Sequence, residues 1–422
     1  MRFKLLTAAV LTGLSIGVTA TEFTSSAPSI GELVNNGTTM NVRVIAHAKL
    51  GQLEAMKTEL AAYGAEFHVE GSNWVAVTVG VTTENYQELL NLSPVLSVEK
   101  DQERQSIPLN VRAVSAQDLA NTETTPGLNA LYRFDGDEAI PYGIEAVQAY
   151  GFNPNPAHMP KVCIVDTGYN FGHPDLPTSN VDGTDDGAGP WYIDGHGHGT
   201  HVAGTVAAKG GNVVAPGFNG VVGVIPNGTD LHIVRVFNDA GGFVYASDLA
   251  GAVQDCAEAG AKVVSMSLGG ILSTKAEKEA LKDVVDDGAL LFAAAGNDGN
   301  ASHSYPASYD FVHSVAAVDE YNEHASFSQR TAQVQFAAPG VDVLSTVPGG
   351  FAFSTGTSMS TPHVSGVAAT VWSHFPECDS ISILEALQMS AKDLDEEGYD
   401  YKTGWGLIQT QAAYDLLTNE GC

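Results

Sequence analysis

Three short motifs supply the residue types that serine-based amide cleavage needs. Val165-Asp166-Thr167-Gly168 carries a carboxylate, His198-Gly199-Thr200-His201-Val202-Ala203-Gly204 an imidazole, and Gly356-Thr357-Ser358-Met359-Ser360-Thr361-Pro362-His363 a hydroxyl. In that chemistry the hydroxyl attacks a carbonyl and the imidazole takes its proton. The carboxylate fixes the imidazole's tautomer and stabilises its charge. Asp166, His198 and Ser358 are therefore the expected catalytic residues. The glycine-containing text before Ser358 opens a helix, whose first N–H groups can hold an oxyanion. His196, His198 and His201 could instead be zinc ligands, but that reading leaves the serine and aspartate motifs without a purpose.

The chain order Asp, His, Ser and the text around each residue resemble the subtilase family of serine proteases, over about residues 141–416. The resemblance implies a fourth working residue, Asn297 in Ala293-Ala294-Ala295-Gly296-Asn297, which donates a side-chain N–H to the oxyanion beside the backbone N–H of Ser358. Read alone, Gly296-Asn297-Asp298-Gly299 would be a turn. Ser267, Leu268 and Gly269 are similar to the family's segment along the first specificity pocket, Gly241 to its opposite edge, and Ser304 to the pocket floor. Glycines at such edges let a substrate backbone pair as an added strand. No acidic residue is evident at that floor, so a broad apolar or aromatic preference is expected there rather than a strict Lys/Arg one. Structural calcium (Ca2+) is implied too, with Asp175 as a ligand and Asn219 as a second candidate. Residues 209–216 read as an insertion that departs from the family pattern.

These motifs have to be held at the ends of strands. Residues 161–166, 231–237, 262–266 and 289–295 are short apolar runs, as strands covered on both faces should be, and helical stretches at 246–259 and 274–286 alternate with them. The expected fold class is α/β, a parallel sheet flanked by helices in three layers, with sites beyond the carboxyl ends of the strands. It should fill residues 139–422. A small α+β, ferredoxin-like module precedes it, from about residue 41 within a propeptide spanning 21–101. Its strand–helix order resembles the family's inhibitor propeptide, which implies that it assists folding and places its end in the cleft. Residues 102–138 lack periodicity and read as an exposed linker or processing region.

Hydrophobic residues make up 44% of the 422-residue chain and charged ones 16%, which excludes a disordered protein. A net charge of -30 repels nucleic acid and anionic membranes. The expected partners are thus protein or peptide substrates and the chain's own propeptide, and a monomer is expected. Arg2 and Lys4, an apolar run from Leu5 to Val18 and the small residues to Ala20 form a signal peptide over residues 1–20. Export follows, to the medium or the periplasm, and export permits disulfides. Cys378 lies in a turn and Cys422 is the last residue, so a bridge between them would tie down the chain end. Cys163 in a strand and Cys256 in a helix read equally as free and buried or as bridged. Together these readings describe a secreted serine endopeptidase of broad specificity, made as a self-processing zymogen.

Overall fold

The computed structural model describes residues 40–106, 111–116, 119 and 130–422. The expected signal peptide and the polar stretch after it, residues 1–39, lie outside the described residues, as does part of the 102–138 region.

The N-terminal module runs β1 (Met40–Ala48), α1 (Leu53–Ala62), β2 (Glu66–Glu70), β3 (Trp74–Val81), α2 (Thr83–Leu90) and β4 (Val95–Lys100). Its strands form an antiparallel sheet in the order β2-β3-β1-β4. Side chains alternate across the pleat, and both faces are used. Val44, Ala46, Val75, Val77 and Val79 pack under Met56 and Leu60 of α1. Ile45, Trp74 and Ala76 face the other way, onto Ala250, Ala276 and Ala280 of the large domain.

Residues 102–138, expected as an exposed linker, contain three strands and the first residue of a fourth. β5 (Glu103–Ser106) and β6 (Val111–Val114) pair with strands of the large domain, and β7 (Tyr132–Asp135) with β8 (Glu138–Pro141) forms a hairpin. The polar text Glu103-Arg104-Gln105-Ser106 shows no strand pattern because its pairing partners are backbone groups. Both Arg104 and Ser106 are buried.

The large domain follows as β9 (Val162–Asp166), β10 (Val181–Asp185), α4 (His198–Ala207), β11 (Leu231–Arg235), β12 (Phe243–Tyr245), α5 (Ala246–Glu258), β13 (Val263–Met266), β14 (Leu268–Gly269), α6 (Lys275–Asp286), β15 (Leu290–Ala294), β16 (His313–Val318) and β17 (Val334–Pro339), with the short α3 (Tyr142–Ala146) ahead of them. The hairpin β18 (Val343–Val347) and β19 (Gly350–Ser354), then α7 (Thr357–His374), α8 (Ser380–Ser390) and α9 (Thr410–Glu420), complete it. Its seven-stranded sheet has the order β10-β11-β9-β13-β15-β16-β17 and is parallel throughout. Val162 and Ile164 join one core, with Val202 of α4 and Val367 of α7. Cys163 and Val165 join the other, with Val253 of α5 and Leu281 of α6. This is the expected three-layer arrangement.

Cys163 is bonded to Cys256, tying β9 to α5, and Cys378 is bonded to Cys422. No described helix is long and apolar enough to cross a membrane.

Candidate active site

Asp166 is the last residue of β9 and His198 the first of α4. Glycine at 199 lets the two elements meet, since a Cβ there would lie 2.2 Å from the Gly168 carbonyl oxygen. His198 Nδ1 then sits 2.7 and 2.9 Å from the two Asp166 carboxylate oxygens. Both side chains are buried. Burial alone would push the His198 imidazole down; the Asp166 charge and hydrogen bond outweigh it and hold the group above its usual range.

Ser358 is the second residue of α7. Pro362, inside the same helix, has no N–H for the Ser358 carbonyl four residues back. The Ser267 hydroxyl donates to that carbonyl instead, at 2.8 Å. The Ser358 hydroxyl in turn donates to the Ser267 carbonyl at 3.3 Å, while the buried Nε2 of His198 has no hydrogen-bond partner. Ser267, expected along the specificity pocket, therefore braces the Ser358 turn. Asn297 is fixed through its Oδ1, which accepts the Thr357 N–H at 3.0 Å and hydroxyl at 2.9 Å. That leaves both Nδ2 hydrogens for another acceptor.

The edges formed by β14 and β12, expected from sequence to meet substrate, are occupied by a segment of the chain itself. β5 lies antiparallel between β14 and β12, pairing Ser106 with Leu268, Gln105 with both Gly269 and Phe243, and Arg104 with Val244. The Ser106 hydroxyl donates to the Gly241 carbonyl at 2.5 Å. Leu268, Gly269 and Gly241 thus contact an extended segment. Beside it lies a cavity of about 430 Å³ lined by Gly269, Gly270, Gly296, Asn297, Ser304 and Ser106. Its acidic lining residues, Asp298 and Glu103, are exposed at the surface.

The module's last residues also cap two helices. Glu99 accepts the N–H groups of Lys275 and Ala276 at 2.9 and 3.0 Å, at the start of α6. Asp101 accepts the Ser247 N–H at 3.1 Å and its hydroxyl at 2.6 Å, at the start of α5. Negative groups are favourable at such termini.

Two supporting residues were not singled out from sequence. Asp194 accepts from the Gly197 and Thr200 N–H groups and from the Thr167 and Thr200 hydroxyls, which binds the loop after β9 to the start of α4. Thr357 sets the Asn297 amide. Asp194 lies outside the motifs and Thr357 inside one, but neither side chain shows a role until its partners are known. The zinc alternative has no support in the ring positions: His201 Nε2 donates to the Val343 and Ala352 carbonyls, and burial pushes that imidazole down to about 3.

Asp175 is fully buried. Its Oδ2 accepts the Val221 N–H at 2.8 Å, but its Oδ1 has no partner. Burial pushes the carboxyl up to about 7, against the Val221 N–H and the Asn212 side chain beside it. Asn212 Oδ1 is likewise buried and unpartnered, with its Nδ2 held on the Pro174 carbonyl. Two buried oxygens without donors suit an oxygen-seeking cation such as calcium. The side-chain amide beside Asp175 is that of Asn212, inside the insertion, while Asn219 is tied through its backbone N–H to the Asp137 carbonyl at 2.7 Å.

The model of the subtilase family (Peptidase_S8) matches residues 158–406. Subtilisin DY of Bacillus licheniformis is 38% identical over 287 residues, covering 65% of this chain and 99% of the relative. The alkaline protease of Alkalihalobacillus alcalophilus is 35% identical over 338 residues, 77% of this chain and 84% of the relative. Among solved structures, the psychrophilic subtilisin-like protease Apa1 from the Antarctic psychrotroph Pseudoalteromonas sp. AS-11 matches with a TM-score of 0.63 and 32% identity, over 67% of this chain and 99% of that one. Fervidolysin from Fervidobacterium pennivorans, a keratinolytic enzyme related to subtilisin, matches with a TM-score of 0.72 and 28% identity, over 90% of this chain and 62% of that one.

Proposed function

The chain belongs to the subtilase family of serine endopeptidases, and from that premise we propose that Asp166, His198 and Ser358 are its triad, that Asn297 completes the oxyanion site, and that the enzyme is exported as a self-processing zymogen. The buried Asp166–His198 pair at 2.7 Å, in a domain whose helix α7 carries Ser358 in its first turn, is the observation that carries this reading. For reaction, the Ser358 hydroxyl turns from the Ser267 carbonyl to His198 Nε2, which takes its proton as Oγ attacks the substrate carbonyl. The oxyanion is met by Asn297 Nδ2 and the Ser358 N–H. His198 then gives the proton to the leaving amine, and water releases the acyl group by the same steps in reverse.

The N-terminal module is read as the inhibitor, with strand β5, which follows it, standing where substrate pairs. Processing is then expected on the carboxyl side of Ser106, inside the region 102–138. The signal peptide at 1–20, the propeptide over 21–101 and the catalytic domain over 139–422 otherwise keep their boundaries. The residues around the 430 Å³ cavity suit a broad apolar or aromatic side chain there. Asp175 and Asn212 would hold calcium, whose contribution is to neutralise buried oxygens rather than to act on substrate.

Titration with a serine-directed covalent inhibitor, with cleavage of a denatured protein as readout, tests the reading. One equivalent should bind and abolish cleavage in proportion. Ser358→Ala should take up none and remain at precursor length. Stoichiometric labelling of Ser358→Ala, or its normal processing in a pure preparation, would refute the assignment.

A further inference from the structure

The subsite that receives Arg104 has a charged floor. Arg104 Nε donates to Glu277 Oε1 at 2.8 Å and its Nη2 to Oε2 at 2.6 Å, a parallel two-bond pair, with both side chains fully buried. Tyr309 adds its hydroxyl to Glu277 Oε2 at 2.6 Å.

The position of Glu277 invites a simpler explanation. It is the third residue of α6 after the cap Thr274, whose Oγ1 accepts the Glu277 N–H at 3.2 Å. A glutamate there ordinarily reaches back to the N–H of the cap. Here that N–H goes to the Tyr309 hydroxyl at 3.1 Å. The carboxylate is thereby released from helix capping and turned to the cleft.

Arg104 reaches it from β5, the strand that pairs with both edges of the cleft. Gly270 leaves room, since a Cβ there would lie 2.4 Å from the Glu103 carbonyl oxygen and 3.0 Å from Arg104 Nη1. The pair is therefore an interaction between a bound extended segment and the wall that binds it. When that segment leaves, a buried carboxylate loses its only cationic partner in this pair, an unfavourable state that another guanidinium would relieve.

We propose that Glu277 is a specificity-determining residue, and that the enzyme prefers protein substrates with arginine at the position Arg104 occupies. This rests on the endopeptidase reading above and adds a second subsite to it. Arginine is favoured over lysine because only a planar guanidinium makes both parallel bonds. An aliphatic residue leaves Glu277 buried and unpaired, and an acidic one adds repulsion.

The test is cleavage-site mapping by mass spectrometry on a digest of a denatured, cysteine-alkylated protein mixture. Mature enzyme is used, its concentration fixed by titration with the serine-directed inhibitor. Arginine should be enriched at one fixed position on the amino side of the cuts, on the order of tenfold over background. In Glu277→Gln, an isosteric variant, that enrichment should vanish while cleavage of the mixture continues. Active wild-type enzyme with no arginine enrichment on the amino side overturns this proposal and leaves the endopeptidase reading standing. Equal enrichment of lysine overturns the guanidinium assignment, and retained enrichment in Glu277→Gln overturns the role of Glu277. Failure of titrated wild-type enzyme to cut at all overturns both readings.

Discussion

At the scale of single residues, the chemistry depends on how two polar groups are held. A protonated His198 cannot accept the Ser358 proton, so activity should rise with pH through the imidazole's ionisation. Asp166 holds that group above its usual 6.5, which moves the acid limb upward. We expect kcat/KM to fall about tenfold per pH unit below a midpoint above 6.5. Asp166→Asn should move that midpoint down and lower kcat by about 10⁴-fold. A wild-type midpoint well below 6.5 would mean that the pair does not act in this way. Asn297 is aimed by Thr357 rather than by its own loop. Asn297→Leu should lower kcat by about 10²–10³-fold with little change in KM, a size established for an oxyanion donor in subtilisin, a relative. A change confined to KM would place Asn297 in ground-state binding instead.

At the scale of elements, the sequence carries most of what positions the proposed triad. Four apolar runs mark central strands because a parallel sheet covered on both faces needs unbroken hydrophobic text. Asp166, His198 and Ser358 follow or open such elements, so their motifs and their placement agree. The β5 strand was illegible for the opposite reason: Gln105 and Ser106 are chosen for no face of a sheet, and their order comes from the backbones of Leu268, Gly269 and Phe243. Glu277 was hidden because its spacing from Thr274 reads as an ordinary cap. Glu99 and Asp101 carry no signal of their own in the sequence, because the helix starts they cap, those of α6 and α5, lie 146 to 177 residues further along the chain. Each cap should contribute about 0.5–2 kcal/mol to docking of the module. Trp74, buried against Ala250 and Ala276, reports on that docking. In the uncut Ser358→Ala chain, Glu99→Ala and Asp101→Ala should each lower the temperature at which Trp74 fluorescence changes. The main melting transition of the large domain should stay in place. Unaltered Trp74 melting in both variants would show that apolar packing alone seats the module.

At the scale of the whole molecule, 49 acidic residues against 19 basic ones set a problem that no single contact solves. A net charge of -30 repels itself in the compact state. Dissolved salt screens that repulsion, with a Debye length of about 30 Å at 0.01 M falling to about 8 Å at 0.15 M. Melting temperature should therefore rise with sodium chloride over that range. The calcium ion proposed at Asp175 and Asn212 would act differently, because it would meet two buried oxygens that have no donor and that diffuse counterions do not reach. The two effects are separable. At constant ionic strength, excess chelator should lower the melting temperature by several degrees, since an ion present at about 100 times its Kd contributes about 2.7 kcal/mol. Asp175→Asn should lose the chelator response and keep the salt response. A chelator effect that disappears once ionic strength is matched would place the ion's contribution in general screening, and the buried pair would then be held by protein contacts alone.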